Sequence, residues 1–292
     1  MNRAFTTFHP AVSFIFFAVM LIFTMLFLHP VFLGLTLIPA LILSIILNGR
    51  KGVKFSLLFY LPMFLFISIA NPLLNHRGRT VLFYLMDNPI TLEAVLYGIC
   101  SAVSLIAILA WFSCYNKVIT ADKFLYLFAK ISPAVALLIT MSMRMTSKLK
   151  YQLKTISNAQ HTIGLDQSTG NVRERVKKGM RVISILLSWS MEDAIETADS
   201  MKARGYGLKN RTTFSLFKFD KRDGLVLAVI SVLGAICLAG YFLGYGTLQF
   251  YPSIKPVNLS IQAIVLYFVF AALALLPIII EVKESYKWRS YK

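Results

Sequence analysis

The sequence predicts an all-α protein that crosses a membrane several times, and three observations carry this prediction. Of the 292 residues, 57% are hydrophobic and only 15% are charged, and the mean hydropathy is +0.68. The apolar residues are gathered in long runs, and Lys and Arg are concentrated between particular runs. This combination is typical of polytopic membrane proteins and unusual for soluble domains.

Six apolar segments are long enough to form transmembrane helices, because a helix rises about 1.5 Å per residue and the hydrocarbon core is roughly 30 Å thick. His29 and Pro30 separate the first two segments, where a turn is natural because proline interrupts helical hydrogen bonding. The alternative is one long helix that is kinked at this point. The interiors of the segments lack Asp, Glu, Lys, Arg and His. The predicted spans are Ala11–Leu28, Val31–Leu47, Val53–Ala70, Leu92–Ser113, Gly224–Leu243 and Leu259–Ile280.

The distribution of positive charge predicts the orientation of the spans. Segment 114–223 carries 19 of the 30 Lys and Arg residues, and further cations lie near both termini and between the second and third spans. The connections 71–91 and 244–258 carry only two and one. Because cytoplasmic loops are richer in Lys and Arg than external ones, we expect both termini and segment 114–223 to be cytoplasmic.

Segment 114–223 is too long for a simple loop and carries helix start and stop signals. A helix opened by Ser132-Pro133 is expected to end near Gly164, and Asn171 is expected to cap another that runs to Gly205. With nine acidic residues against 19 basic ones, the segment can lie on anionic lipid headgroups or dock a partner. In a membrane protein this charge indicates the cytoplasmic side rather than nucleic-acid binding. The predicted domains are 1–113 with four spans, 114–223 with amphipathic helices, and 224–292 with two spans.

The stretch Met191–Leu208 is polar within an otherwise apolar chain, and it predicts an amphipathic helix with an arginine at its tip. Gly205 and Gly207 can adopt positive φ, which helix C-termini often require. Arg204 falls in the last turn, where a cation is favoured. One interpretation is an ordinary helix end. The other is that Arg204 binds an acidic site on a partner, because a guanidinium grips carboxylates in a bidentate manner.

Motifs of nucleotide-binding and hydrolytic enzymes are absent from the sequence. There is no GxxxxGK[ST] phosphate-binding loop, no HExxH and no GxSxG. The three cysteines are far apart and show no metal-ligand spacing, so we expect free thiols and no cofactor. Proton- or ion-coupled transporters usually bury charged groups in mid-membrane, which these spans lack. We therefore expect a non-catalytic membrane component whose energy source lies elsewhere.

Local motifs resemble those of one family of membrane proteins. Asp122–Leu127, Ser132-Pro133 and Met143-Arg144 look like the entry to the coupling domain in the transmembrane T component of energy-coupling factor (ECF) transporters. These transporters are importers of vitamins and transition metals and are related to ABC transporters. The stretch Ala198–Gly207 is very similar to the family's second arginine-containing signature, and this match is the specific one. The resemblance covers nearly the whole chain.

The family's first signature, typically Ala-Gln followed by Arg-Gly, is present only in part, because Ile163 stands at the position of its arginine. The resemblance implies two coupling helices that end at the two signatures. Each would dock on one of two cytoplasmic ECF ATPase subunits, or on one half of a fused tandem ATPase. The expected docking residues are Ala159, Gln160, Ile163, Gly164, Ala203, Arg204 and Gly205.

The resemblance further implies that the chain transmits ATPase motion to a separate substrate-binding membrane S component, in the plasma membrane of a prokaryote. One competing hypothesis is a substrate-translocating permease of an ordinary ABC importer or secondary transporter. For an ABC importer, Glu192-Asp193-Ala194 offers only a partial match to the expected coupling loop. A membrane scaffold without a transport role is the third hypothesis. The expected contacts with the S component are Phe124, Phe128, Leu137 and Leu138.

Overall fold

The chain is built predominantly of helices, as its computed structural model shows for residues 4–75, 78–85, 88–129, 131–165, 171–208, 217–246, 248–251 and 260–290. This architecture confirms the prediction of an all-α polytopic membrane protein. In chain order the elements are a short 3-10 helix (Ala4–Thr7), α1 (Pro10–Leu26), α2 (Pro30–Leu74), β1 (Val81–Leu85), β2 (Asn88–Thr91), α3 (Leu92–Val118), α4 (Ala121–Ala129), α5 (Pro133–Thr162), α6 (Val172–Ala203), α7 (Lys221–Phe242) and α8 (Ile261–Ser290).

The chain forms two compact units. The first comprises residues 1–124 and 217–292, and the second comprises residues 125–216. The first unit contains the apolar helices, and the second contains α5 and α6. That residues 114–223 form a coupling domain on the cytoplasmic side of the membrane stays a prediction.

Each of the six predicted spans coincides with an apolar helix. Pro10–Leu26 and Leu58–Leu74 are apolar but shorter than the other helices of this kind. The remaining predicted spans correspond to helices that are long and apolar enough to cross a membrane. These four are Pro30–Gly49, Leu92–Val118, Lys221–Phe242 and Ile261–Glu284.

The second and third predicted spans follow one another within α2, which is interrupted at Gly49. The backbone there has φ +69° and ψ 178°, outside the helical region. A glycine adopts this conformation readily because it has no Cβ. The structure therefore separates two apolar helices at a single residue rather than through a loop.

Aromatic side chains fill the centre of the first unit. Trp111 of α3 is fully buried, and its ring centroid lies 5.8 Å from that of Phe16 and 6.2 Å from that of Phe17. At the end of α1, Phe27 stacks on Phe32 with centroids 4.5 Å apart. Such contacts add to the stabilisation that comes from burying large apolar surfaces, and they hold α1, α2 and α3 together.

Buried and partly buried carboxylates anchor the N-terminal segment against α7 and α8. The amide of His9 donates to Asp223 Oδ1 at 3.1 Å, and the amide of Phe5 donates to Glu281 Oε2 at 3.1 Å. Arg222 Nη1 lies 3.8 Å from Glu284 Oε1, and Arg222 Cζ lies 5.2 Å from the ring centroid of Phe8. These contacts tie the beginning of the chain to its last two apolar helices.

A two-stranded antiparallel hairpin precedes α3. Strand β1 pairs with β2, with Phe83 opposite Ile90 and Leu85 opposite Asn88. The buried carboxylate of Glu93 accepts hydrogen bonds from the amides of Arg79 and Thr80, at 3.3 Å and 3.2 Å. Glu93 therefore fixes the start of the hairpin to the first turn of α3, where an anion is also favoured by the helix dipole.

In the second unit, α5 packs against α6. Lys148 of α5 pairs with Asp193 of α6, and its ammonium also lies 5.3 Å from the ring centroid of Trp189. The half-exposed ammonium thus meets both a carboxylate and an aromatic face on the neighbouring helix. The pair lies part of the way along both helices, so it fixes where one meets the other.

Candidate coupling site

The predicted docking arginine directly follows the last residue of α6, as its C-cap. The helix begins with Asn171, whose side chain accepts a hydrogen bond from the amide of Val172 at 2.8 Å, as the sequence predicts. It ends at Ala203, and Arg204 is the C-cap residue, with φ −83° and ψ 6°. The following Gly205 has φ +79°, which confirms the expectation that this glycine terminates the helix.

Two hydrogen bonds close the end of α6. The amide of Tyr206 donates to the carbonyl of Met201 at 3.0 Å, and the amide of Gly205 donates to the carbonyl of Lys202 at 2.9 Å. Together with the left-handed glycine, this pair of bonds is the Schellman arrangement. The backbone around Arg204 is thereby fixed, while its side chain remains exposed.

Helix α5 ends in the same arrangement. The amide of Leu165 donates to the carbonyl of Gln160 at 2.9 Å, and the amide of Gly164 donates to the carbonyl of His161 at 3.1 Å. Gly164 has φ +80°, and the C-cap residue Ile163 has φ −94° and ψ 15°. Ile163 therefore occupies on α5 the position that Arg204 occupies on α6.

The motif alone does not mark a docking site, because α7 also ends in it. There Leu243 is the C-cap residue and Gly244 has φ +84°, and the amide of Tyr245 donates to the carbonyl of Gly240 at 3.2 Å. The side chain at the C-cap distinguishes the three ends. Only α6 presents a cation there among the three.

The groove between α5 and α6 reaches the end of α6. It has a volume of about 610 Å³ and is lined in part by Arg144, Glu196, Ser200, Arg204 and Tyr206. Within the part of the chain that the structure describes, the guanidinium of Arg204 has no ion-pair partner. An exposed, charged side chain on a fixed backbone can bind an acidic site on another protein without reorganising the helix that carries it.

The other predicted docking residues surround the two C-cap positions. Ala159, Ala203 and Gly164 are exposed, and Gln160 and Gly205 are partly buried. Ile163 exposes 64% of its surface, so its side chain is accessible to another protein. The structure gathers the seven residues at two helix ends of one unit, and their docking role stays a prediction.

The four residues predicted to contact the S component do not form a buried core. Phe124 and Phe128 of α4 are exposed, as is Leu138 of α5, whereas Leu137 is partly buried and lines the groove. Their exposure leaves apolar surface available to another protein or to lipid.

Sequence reasoning missed the contacts that hold α5 against α6. Lys148, Trp189 and Asp193 are separated by more than 40 residues across the two helices, and no local signal pairs them. One hint was available, since Asp193 lies one helical turn from Trp189 and two turns from Met201 on the face that meets α5. That hint does not name the partner on α5.

Comparisons with known proteins identify the family to which the chain belongs. Residues 5–214 match the family described as CbiQ, cobalt transport protein, and this range includes both helix ends. Among curated proteins, the energy-coupling factor transporter transmembrane protein EcfT of Bacillus selenitireducens is 32% identical over 111 residues, which are 38% of this chain and 41% of that protein.

Two further relatives carry the same description. The EcfT protein of Streptococcus equi is 31% identical over 101 residues, 34% of this chain and 38% of that protein. The EcfT protein of Lacticaseibacillus paracasei is 30% identical over 105 residues, 36% of this chain and 40% of that protein. The chain thus spans about two fifths of the length of the curated relatives it matches. The family match covers most of the chain, so the chain belongs to the CbiQ family, and its resemblance to the T components of ECF transporters is confirmed.

Proposed function

We propose that this protein is the T component of an ECF-type importer for a vitamin or a transition metal ion. It couples the motion of two ATPase subunits, or of a fused tandem ATPase, to a separate S component that binds the substrate. The observation that carries this proposal is the shared ending of α5 and α6. Each helix presents one exposed side chain from a fixed C-cap, and one of these is Arg204.

The ion pair between Lys148 and Asp193 supports a mechanical role for the two helices. It links them at a point well inside both, so that a displacement at the end of α6 also moves α5. A coupler requires this kind of rigidity, because an interaction at one end must be felt elsewhere. The apolar residues Phe124, Phe128, Leu137 and Leu138 are the proposed surface for the S component.

ATP hydrolysis belongs to the partners under this proposal, because the sequence has no phosphate-binding loop. Under the same proposal the S component selects the substrate, and the uncharged interiors of the spans argue against an autonomous ion-coupled transporter. We expect the purified chain alone to show no ATPase activity and no tight binding of a vitamin or metal ion. ATPase activity of the chain alone, stimulated by a vitamin, would contradict the proposal.

The proposed orientation places both termini and α5 in the cytoplasm and the β1 strand outside the cell. It rests on the concentration of Lys and Arg in segment 114–223. Single cysteines at two exposed positions test it, Tyr84→Cys in β1 and Lys154→Cys in α5. A membrane-impermeant maleimide added to intact cells should label position 84 only. Labelling of position 154 from outside would overturn the orientation.

Purification from membranes in a mild detergent tests the assembly. We expect two nucleotide-binding ATPase subunits, or one fused tandem ATPase, to copurify with the chain together with a small membrane protein. Recovery of the chain without any nucleotide-binding domain would contradict the coupling role. Retention of a bound vitamin by the isolated chain would instead favour a substrate-binding permease.

A further inference from the structure

The N-terminal half of α6 carries an apolar stripe that the rest of its unit leaves exposed. Five apolar residues recur at spacings of three and four, so they share one face of the helix. Val172 exposes 71% of its surface and Met180 exposes 60%. The buried Val182 lies on a different face. The apolar stripe consists of Val172, Val176, Met180, Ile183 and Leu187.

A row of cations runs beside the apolar stripe. Arg173, Lys177 and Arg181 are spaced four residues apart, and each follows directly after a stripe residue, which places it about 100° further around the helix. All three side chains are exposed. Among the residues that the structure describes, none of the three has an ion-pair partner.

The charge of α6 reverses along its length. Residues 172–187 contain five Lys and Arg against the single acid Glu174, whereas residues 188–203 contain four acids against the single cation Lys202. With Lys202 as the exception, the cations of α6 are therefore concentrated in the half of the helix that carries the apolar stripe. They lie far from the C-cap at which Arg204 is presented.

This pairing of an apolar stripe with a cationic edge fits the surface of an anionic bilayer. A helix that lies in the interface buries its apolar face roughly 5–10 Å deep, at the boundary of headgroups and acyl chains. Cations at the edge of that face then meet the lipid phosphates. An apolar protein surface would cover the stripe but would leave the three cations without counter-charges.

We propose that residues 172–187 of α6 bind anionic phospholipid headgroups, with the apolar stripe inserted in the interface and the row of cations on the phosphates. Helix α6 then has two partners at its two ends, a lipid surface at its start and, under the proposed function, an ATPase at Arg204. Each Lys or Arg near an anionic surface strengthens such binding roughly fivefold. Removal of two cations is therefore expected to weaken it roughly 25-fold.

A fluorescent label on the apolar stripe tests this proposal in the full-length chain. The variant Met180→Cys is labelled with an environment-sensitive fluorophore, since Cys100, Cys114 and Cys237 are all buried. The protein is placed without partners in nanodiscs of phosphatidylcholine, with or without phosphatidylglycerol. We expect a blue shift and quenching by a headgroup-proximal quencher only with phosphatidylglycerol, and reversal of both effects by salt.

Charge variants in the labelled background complete the test. Lys177→Gln combined with Arg181→Gln should abolish the blue shift at the same phosphatidylglycerol content. The control, Lys150→Gln combined with Lys154→Gln, removes two exposed cations from α5 and should retain it. The proposal is overturned if the label is shielded to the same extent with and without phosphatidylglycerol and in both double variants. It is also overturned if the label is exposed to solvent in both lipid compositions. Shielding that appears only after addition of an S component would assign the stripe to a protein partner instead.

Discussion

The ammonium of Lys148 pairs with the carboxylate of Asp193 at the point where α5 and α6 are joined. Ile163 ends α5 about 22 Å beyond Lys148, and Arg204 ends α6 about 16 Å beyond Asp193, at 1.5 Å per residue. The two C-cap residues therefore lie at the ends of two helices that are linked by this ion pair. Under the coupling proposal, a movement imposed at one tip reaches the other helix through this contact.

Breaking the Lys148–Asp193 pair should have only a small effect on stability but a larger effect on the coupling of ATP hydrolysis to transport. Because the Lys148 side chain is half exposed, we expect Lys148→Met or Asp193→Asn to lower the free energy of unfolding by only about 0.5–1 kcal/mol. A larger effect is expected on coupling, seen as more ATP hydrolysed per substrate molecule imported by the reconstituted complex. A double-mutant cycle checks the interaction. Strictly additive effects on stability and unchanged coupling would show that the pair does not join the helices.

The glycine that ends α6 should be far less replaceable than a glycine inside the helix. Gly205 has φ +79°, and a Cβ there would lie 2.9 Å from Leu208 Cδ1, so Gly205→Ala should cost about 1–2 kcal/mol. Gly179 lies within α6 with open space around it, so Gly179→Ala should stabilise the helix by up to about 1 kcal/mol. Thermal unfolding of the purified variants measures both changes. Effects of the same sign would contradict the assigned helix end.

The position of Ile163 allows an arginine to be introduced without a change of backbone. Its φ and ψ of −94° and 15° are close to the −83° and 6° of Arg204, and its side chain is exposed. If the ATPase surface that faces α5 carries an acid, Ile163→Arg should strengthen ATPase association, because a charge-assisted bidentate pair forms. Ile163→Ala should weaken association by roughly tenfold or less, since only packing is lost. Pull-down of the ATPase with each variant measures both. A loss with Ile163→Arg as severe as that with Arg204→Glu would indicate an apolar or basic surface at that helix end.

Lys123, at the start of α4, should make the free energy of unfolding depend on pH in the alkaline range. Its buried ammonium donates to the carbonyl of Val118 at 3.1 Å, and burial lowers the pKa of Lys123 below its ordinary value of 10.5. Between the lowered pKa and 10.5 the unfolded chain binds more protons at this residue than the folded chain. The contribution of Lys123 to the free energy of unfolding should therefore increase as the pH rises through this range.

Thermal unfolding over an alkaline pH series checks this contribution. The rise should disappear in Lys123→Met and persist in Lys117→Met, because Lys117 of α3 is exposed. A rise of equal size in all three proteins would mean that Lys123 is not its source.

The sequence alone predicts the helix ends well because their signals are local. Asn171 caps α6 through its own side chain, and Gly164 and Gly205 adopt the positive φ that only a glycine takes up easily. The apolar spans are predicted for the same reason, since length and composition are properties of a continuous segment. These local signals also place Arg204 at a helix tip.

Features that depend on two distant segments could not be predicted in this way. The pairing of Lys148 with Asp193 requires α5 and α6 to meet in one register, and neither helix determines that register by itself. Similarly, nothing in the sequence near Glu93 shows that its carboxylate binds the amides of Arg79 and Thr80 across a hairpin. The correspondence of Ile163 with Arg204 is predicted by the two signatures, but the identical pair of hydrogen bonds that gives both residues the same backbone conformation is visible only in the structure.

Under the proposed function, Arg204 couples the membrane protein to its ATPase. Arg204→Glu would remove one partner of the proposed desolvated charge pair, which costs roughly 2–5 kcal/mol, and would add repulsion. Association of the ATPase should thus weaken by about 30-fold or more. Ile163→Ala is the matched control at the equivalent position of α5 and should lose less.

The most direct measurement compares these two variants in membranes, by pull-down of the ATPase and by ATP-dependent uptake of the substrate. We expect Arg204→Glu to lose both association and uptake while the chain is still inserted at normal levels, and Ile163→Ala to retain most of both. Normal association and uptake with Arg204→Glu, together with their loss in Ile163→Ala, would show that Arg204 does not couple the protein to the ATPase.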